Sequence, residues 1–416
     1  MRDNSLALHL TKQGHEVTVL PTYLPHLLDE TSAVKNSPIF FGGVNVYLQH
    51  KFRLFRKTPY WVDRLLNSKA LLRWAANRSG MTSPRDLGEI TLSTFGGKNG
   101  PLAKEVEKVI DWFKQLGKPD VLLLSTVLLA SVGRAVREEL DIPVLSFLQG
   151  EDGFLDTLLP HFQEEAWKLL SRDVKTLDGC ISPSHFFAVR MGRRLGISPE
   201  SIFCLPNGIS MDGYPRECPD SSKSTKPTLG YLARICPEKG LDLLVDAFIK
   251  LKETGNYPLL KLAVAGTLPR DNVSFLKDLK RKISEAGFIE CFAVQTNISR
   301  EEKIDFLSKL SLFCVPTRTP EAFGLYVIEA LALGVPVLLP NHGSFSELIK
   351  ETQGGKLYDL TEEDALCNAL TARLDDLEST KSFGKKGRAV VRRSYSNEKL
   401  ANQLVKNILA PLASSK

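Results

Sequence analysis

The segment FCVPTRTPEAFGLYVIEALALGVPVLLP, Phe313 to Pro340, decides how the rest of the chain is read. The short apolar run Leu312 to Val315 predicts a buried strand. A loop follows, Pro316 to Gly324, broken by Pro316 and Pro320 and closed by a glycine. Leu325 to Leu333 is a strong helix former, Gly334 stops it, and Val335 to Leu339 predicts the next strand. Strand, loop, helix and strand in so short a span is the grammar of a parallel sheet, whose neighbouring strands need a crossover connection. Ligands of such sheets lie outside the carboxyl ends of the strands. The loop Pro316–Gly324 is therefore expected where a ligand would lie.

Glu321 and Glu329 frame this loop. On one continuous helix they would sit far apart along the axis. Because Glu321 precedes the helix, both can reach toward the same cleft. Gly324 opens the helix, where free N–H groups point outward at the positive end of the dipole and no side chain blocks approach. Carboxylates accept hydrogen bonds from hydroxyls and repel phosphates. The loop reads as a site that holds a polyol on Glu321 and Glu329 and an anion on backbone donors. A capped surface helix with a solvated glutamate fits the same residues, and the loop alone leaves both readings open.

The Glu-x7-Glu spacing, headed by EAFGL and followed by EALALGVPV, resembles the donor-site motif of glycosyltransferase family 4. The resemblance implies an α/β GT-B fold: two Rossmann-like domains, a cleft between them, and a C-terminal helix crossing back. Residues 1–209 would form the acceptor-binding domain, 210–226 a linker rich in Pro, Ser, Lys and Asp, 227–395 the donor domain, and 396–416 the crossing helix. The turn Pro206-Asn207-Gly208-Ile209 resembles the one that ends the family's first domain, and Asn-Gly is a turn pair on physical grounds as well.

A second pattern supports the first. After a predicted strand, Thr228 to Leu232, the loop Ala233 to Gly240 reads ARICPEKG and leads into a helix from Leu241. Arg234 and Lys239 bracket a tight turn, and two cations beside a helix N-terminus suit a diphosphate. Such an Arg-x4-Lys-Gly pattern is weak alone and strong beside the Glu-x7-Glu loop. The resemblance implies that Arg234 and Lys239 bind the nucleotide diphosphate and neutralise the leaving group, and that Glu321 takes donor-sugar hydroxyls and Glu329 the ribose. It also puts Phe323, Gly324 and Leu325 against the donor, lets Gly266 pass close to the nucleotide, and sets Val294 and the turn Gln295 to Ile298 near the base.

In the first half, Pro143 to Leu148 predicts a strand, followed by Gln149-Gly150-Glu151-Asp152-Gly153. Carboxylates among glycines suit hydroxyls or a cation; a turn held by Asp152 is the plainer alternative. Many members of the resembling family carry a histidine near here, and this chain has Gln149. Gln149, Glu151 and Asp152 are the acceptor-side or sugar-side candidates. Asn4 to Gln13 predicts a helix and Glu16 to Leu20 a strand, and together they resemble the first helix and second strand of the family's N-terminal domain. The strand and Gly-rich loop that precede that helix in the family do not precede it here, so a truncated or mis-started chain is expected, with a rearranged sheet as the alternative. Phe40 to Leu48 predicts another strand, and Thr58 to Gly100 is partly helical, then loop-rich. The segment Lys51 to Lys57, KFRLFRK, can lie on an anionic membrane or hold an anionic acceptor, with a solvated basic face as the simpler reading.

A length of 416 residues predicts two domains, and the net charge of +6 allows an anionic ligand without requiring one. The seven cysteines show no C-x-x-C pair and the seven histidines no metal-ligand spacing, as expected of reduced thiols in a cytoplasmic chain without a metal centre. His185 and His342 sit beside candidate loops but read more simply as structural or exposed side chains. No signal peptide or membrane-spanning run is found, no G-x-G-x-x-G supports a nicotinamide or flavin site, and no P-loop is present. The expected function is a retaining glycosyltransferase (a hexosyltransferase) that moves a sugar from a UDP- or GDP-sugar. Its acceptor would be a glycan or a lipid-linked glycan in cell-envelope or exopolysaccharide synthesis. No cofactor and no nucleic acid partner are expected. The expected location is the cytoplasm, with peripheral contact at the inner membrane face through Lys51–Lys57. The alternatives are a nucleotide-sugar epimerase or phosphorylase on the same fold, or a truncated, non-catalytic nucleotide-binding chain.

Overall fold

Two all-parallel sheets organise the chain. The structure is a computed structural model that describes residues 2–22, 40–41, 43–59, 62–63, 66, 84–218 and 226–414. The chain divides into two compact units, one made of Met1–Leu205 with Ala401–Lys416, the other of Pro206–Leu400.

The first unit holds a four-stranded sheet in the order β1-β2-β3-β4. Its strands are β1 Leu122–Leu124, β2 Val144–Phe147, β3 Gly179–Ser182 and β4 Ile202–Cys204. Helix Ala103–Leu116 buries Val106, Val109, Ile110 and Phe113, a stripe at helical spacing, in a core shared with Phe41, Val132, Val136 and Val144. Each such side chain contributes roughly 1.5–3 kcal/mol through burial. Helix His185–Leu195 begins where Ser184 accepts from the Phe187 N–H at 3.1 Å and ends at Gly196 in the left-handed region.

The second unit holds a six-stranded sheet in the order β10-β9-β8-β5-β6-β7. In chain order these are β5 Thr228–Leu232, β6 Lys261–Gly266, β7 Phe292–Thr296, β8 Leu312–Cys314, β9 Val337–Pro340 and β10 Gly355–Tyr358. Leu312, Phe313, Cys314 and Val315 are wholly buried, which is why β8 reads as an uninterrupted apolar run. The chain winds outward from β5 in both directions: β6 and β7 lie on one side, β8, β9 and β10 on the other. The strand order therefore reverses at the β5–β8 pair, where Leu229 and Gly230 lie in register with Leu312 and Phe313. Ligands of open parallel sheets lie at the carboxyl edge of such a reversal.

Two expectations for the N-terminal region are corrected. Glu16 to Leu20 forms no strand: its backbone is in no ladder, and the nearest pairing is the single bridge between Thr22 and Phe40. An extended segment becomes a strand only when a neighbour completes its hydrogen bonds, and none of the described residues does. Phe40 to Leu48 is not a strand either. Gly43–Lys51 is a helix, and its buried positions, Asn45, Val46 and Gln49, fall at helical spacing rather than alternating. The predicted segment Thr58 to Gly100 lies partly outside the described residues; within it, Pro84–Phe95 is a helix. Residues 219–225 of the predicted linker lie outside them as well.

A buried acid holds this helix in place. Glu105 is wholly buried and accepts from Asn45 Nδ2 at 2.7 Å, Gln49 Nε2 at 2.8 Å and the Phe41 N–H at 3.1 Å, with Lys108 at 2.6 Å. Glu105→Ala would strand these donors without an acceptor. It is expected to cost about 3–5 kcal/mol, read from urea denaturation midpoints; a loss below about 1 kcal/mol would mean that the network is dispensable.

Candidate functional site

The loops after β5 and β8 leave adjacent strands at the reversal point, so they meet. Ala233–Gly240 ends in the short 3-10 turn Pro237–Lys239 and runs into helix Leu241–Glu253. Residues 315–324 run into helix Leu325–Ala332. Backbone and side-chain bonds join the loops. The Arg318 N–H donates to the Glu238 carbonyl at 2.8 Å, Thr317 Oγ1 donates to the same carbonyl at 3.1 Å, and Arg318 forks onto Asp242 at 2.8 and 2.6 Å.

This frame brings the first loop's lysine to the second loop's acid. Lys239 Nζ is ion-paired with Glu321, and the two side chains keep only 17% and 15% of their exposure. Tyr326, in the first turn of the helix, donates to Glu321 Oε1 at 3.0 Å. Burial, then the Glu321 charge, pushes the Tyr326 phenol well up, so it stays a hydrogen-bond donor. Ser344 N donates to the Glu321 carbonyl at 3.0 Å, which ties the loop to the next strand-to-helix turn. Arg234 is exposed and makes no ion pair among the described residues. Its carbonyl accepts from Tyr231 Oη at 3.1 Å. Arg234 and Lys239 both act on Glu238, whose carboxyl is lowered first by the Cys236 thiol, then by its own backbone, with the two cations adding to the effect. The loop thus presents one exposed guanidinium, without an ion pair among the described residues, and one ammonium held by a carboxylate.

Gly324 caps helix Leu325–Ala332 with φ +90°, and a Cβ there would stand 2.8 Å from the Phe345 ring. The backbone can take this course only because the residue is glycine. Phe323 is buried and its carbonyl accepts from Ser344 Oγ at 2.9 Å, while Leu325, the first helical residue, is 39% exposed. Glu329 lies one turn further along and does not join the Lys239–Glu321 pair. Its carboxylate is ion-paired with Lys303, on helix Arg300–Ser308, with 16% and 17% of the side chains exposed.

Gly266 closes β6, and Val294 lies mid-strand in β7 beside Val264. At the carboxyl end of β7 a pocket is lined by Gln295, Thr296, Asn297, Ile298, Glu302 and Asp305. His342 Nε2 donates to the Thr317 carbonyl at 2.8 Å, which adds a third tie to the Pro316–Gly324 loop.

The candidates in the first unit have local partners. Gln149 is exposed, and its side chain donates to the Leu148 carbonyl at 2.8 Å. Glu151 is buried at the start of helix Glu151–Leu155 and accepts from Thr126 Oγ1 and the Gln149 N–H at 2.6 Å each, and from the Val127 N–H at 3.3 Å. Burial pushes its carboxyl up against the pull of these bonds. Asp152 is ion-paired with Arg190 at 2.5 Å. Lys51 is ion-paired with Asp86 at 2.6 Å, and Arg56 donates to the Gln49 and His50 carbonyls, whereas Phe52 and Leu54 of the same segment are exposed.

Sequence reasoning did not single out Lys303 or Tyr326. Tyr326 could have been found, five residues from Glu321 at the head of the helix. Lys303 carries no motif, and only the pairing of helices Arg300–Ser308 and Leu325–Ala332 brings it to Glu329.

No group of three or more metal-ligating side chains occurs among the described residues. No described helix is long and apolar enough to cross a membrane. All seven cysteines are free.

The Glycosyltransferase Family 4 family matches residues 87–212, and the Glycosyl transferases group 1 family matches residues 219–390. A GDP-mannose-dependent alpha-(1-6)-phosphatidylinositol monomannoside mannosyltransferase of Mycolicibacterium smegmatis is 28% identical over 44% of this chain and 50% of its own length. The lipopolysaccharide core biosynthesis mannosyltransferase LpsB of Rhizobium meliloti is 30% identical over 43% of this chain and 50% of its own. The chain thus spans about half the length of the curated relatives it matches. Among solved structures, Anabaena HepE in complex with UDP superposes with a TM-score of 0.63 at 19% identity, over 76% of this chain and 84% of that one.

Proposed function

Since the chain belongs to the family 4, group 1 glycosyltransferases of the GT-B fold, we propose that it transfers a sugar from a nucleotide-diphosphate sugar to a glycan or lipid-linked acceptor, with retention at the anomeric carbon. The observation that carries this reading is the meeting of the two motif loops at the β5–β8 reversal, with Lys239 on Glu321 and the exposed Arg234 on the first loop. The C1–O bond to the diphosphate breaks and C1 bonds to the acceptor oxygen, whose proton leaves with the diphosphate. What the protein supplies is positive charge for the departing phosphate and a fixed geometry for the sugar. Arg234 and Lys239 supply the charge. Glu321 takes sugar hydroxyls, Glu329 takes the ribose, and the N–H groups after Gly324 face the phosphates. The pocket after β7, beyond Val294 and Gly266, takes the base.

Retention, and an acceptor in envelope or exopolysaccharide synthesis, rest on family membership and on the names of the relatives. Contact of Phe52 and Leu54 with a membrane belongs to the same proposal, as do sugar or acceptor contacts at Gln149, Glu151 and Asp152.

The test is nucleoside diphosphate release from a panel of UDP- and GDP-sugars, with Arg234→Ala as comparison. A donor should be turned over by the parent protein and at least about 30-fold more slowly by the variant, a single charged contact of about 2 kcal/mol in the transition state. Equal rates, or release from no donor while nucleotides bind elsewhere, would overturn the assignment. The anomeric configuration of the product, read by NMR, tests retention.

A further inference from the structure

The ion pair between Lys303 and Glu329 lies outside both motif loops. Helix Arg300–Ser308 is held rigidly at its start. Ser299 and Glu302 form a reciprocal capping box, Ser299 Oγ accepting from the Glu302 N–H at 3.2 Å and the Glu302 carboxylate from the Ser299 N–H at 2.7 Å. Arg300 donates to the carbonyls of Ser210 and Asp212 at 3.0 Å each and stands over the Tyr214 ring at 5.8 Å. Tyr214 is buried and close enough to feel the Glu329 charge. Lys303 follows one turn later on this anchored helix, so the backbone that carries it is set by a frame that does not depend on Glu329.

We propose that Lys303 is the positioning residue for the ribose-binding carboxylate: it holds Glu329 turned so that Oε2 receives the 2′- and 3′-hydroxyls of the donor nucleotide. This rests on the reading of Glu329 given above. The physical need is plain. A carboxylate five-sixths buried has little water to hold its orientation, and only an oxygen turned toward the ribose can accept from its hydroxyls. Lys303 donates to Oε1, and no hydrogen bond to Oε2 occurs among the described residues. A long, mobile side chain at the site thus becomes a preorganised acceptor, and preorganisation shows as affinity.

The experiment measures binding of UDP and GDP, and of their 2′,3′-dideoxy analogues, to the full chain by calorimetry. The proteins are the parent, Lys303→Met, Lys303→Arg and Glu329→Gln. Lys303→Met should bind whichever ribonucleotide the parent prefers about tenfold more weakly, the share of one charged hydrogen bond. Its affinity for the matching dideoxy analogue should stay within about twofold, and Lys303→Arg should recover most of the loss. A merely structural role would weaken both ligands equally; that result, or no loss for either, overturns the proposal. If Lys303→Met does not fold, Lys303→Gln, which keeps a donor without the charge, is judged by the same two criteria. Glu329→Gln tests the underlying reading separately: if it still prefers ribose as the parent does, Glu329 does not bind the ribose, whatever Lys303 does.

Discussion

Lys239→Ala is expected to slow nucleotide-sugar turnover by about 10²–10³-fold, the usual consequence of removing one preorganised group that stabilises charge in a transition state. The loss should fall on kcat as well as on kcat/KM, because the diphosphate gains charge only as the sugar leaves. Lys239 is held by Glu321, to which Tyr326 also donates, so neither charge stands alone. An arriving diphosphate would take Lys239 from this pair. Glu321 would then turn to the sugar hydroxyls with Tyr326 still on Oε1. The step exchanges one anion for another on the same ammonium, and Tyr326 and the sugar hydroxyls would have to replace the cation on Glu321, so on the proposed reading binding of the phosphates is linked to release of this acid. Truncating Lys239 has a second effect. It leaves Glu321 mostly buried without its cation, which is expected to lower stability by about 1–3 kcal/mol. Thermal denaturation and single-turnover rates separate the two effects. A folded Lys239→Ala protein that turns over donor within a few-fold of the parent would remove this lysine from the mechanism.

The parts of this site that could be read from sequence are those that the chain keeps local. The apolar run at Leu312, the stop at Gly334 and the strand after it announce a parallel unit because burial on both faces leaves an uninterrupted apolar signature. The Glu-x7-Glu and Arg-x4-Lys patterns lie each within one loop and the helix that follows it. The meeting of these loops was not local: it depends on β5 lying beside β8 across some 80 residues of chain, and only sheet order shows it. Lys303 and Tyr214 were silent for the same reason. They reach Glu329 through packing between segments distant in sequence, with no spacing to betray them.

The N-terminal misreadings have a different cause. Phe40 to Leu48 is rich in the aromatic and β-branched residues that strands favour. Its period becomes helical only once Asn45 and Gln49 are seen to share a buried acid in another helix. Glu16 to Leu20 has the composition of a strand, but composition supplies no partner, and without a ladder the segment stays irregular.

Gly240→Ala should be strongly damaging at the site. Gly240 ends the turn that carries Lys239 and begins helix Leu241–Glu253, with φ +70°, and an added Cβ would stand 1.9 Å from the Pro316 carbonyl oxygen. The obstacle is backbone, not a side chain that can swing away. It can be relieved only by parting the loops that Arg318 and Thr317 tie to Glu238, and this would carry Lys239 away from Glu321. The left-handed backbone costs about 1–2 kcal/mol with a side chain present, and the forced displacement adds about 1–3 kcal/mol more. The expected outcome is a loss of roughly 2–5 kcal/mol in denaturant melts, together with at least about tenfold weaker nucleotide binding, the equivalent of one phosphate contact. Gly255→Ala is the matched comparison. Gly255 has φ +74° and nothing within 4 Å of the added carbon, so it carries the backbone cost without the collision. If the contact with Pro316 matters, Gly255→Ala loses about 1–2 kcal/mol and binds nucleotide as the parent does. If the two variants behave alike, the approach of the loops does not hold the diphosphate site together, and the cations on the first loop must be positioned by something other than the second.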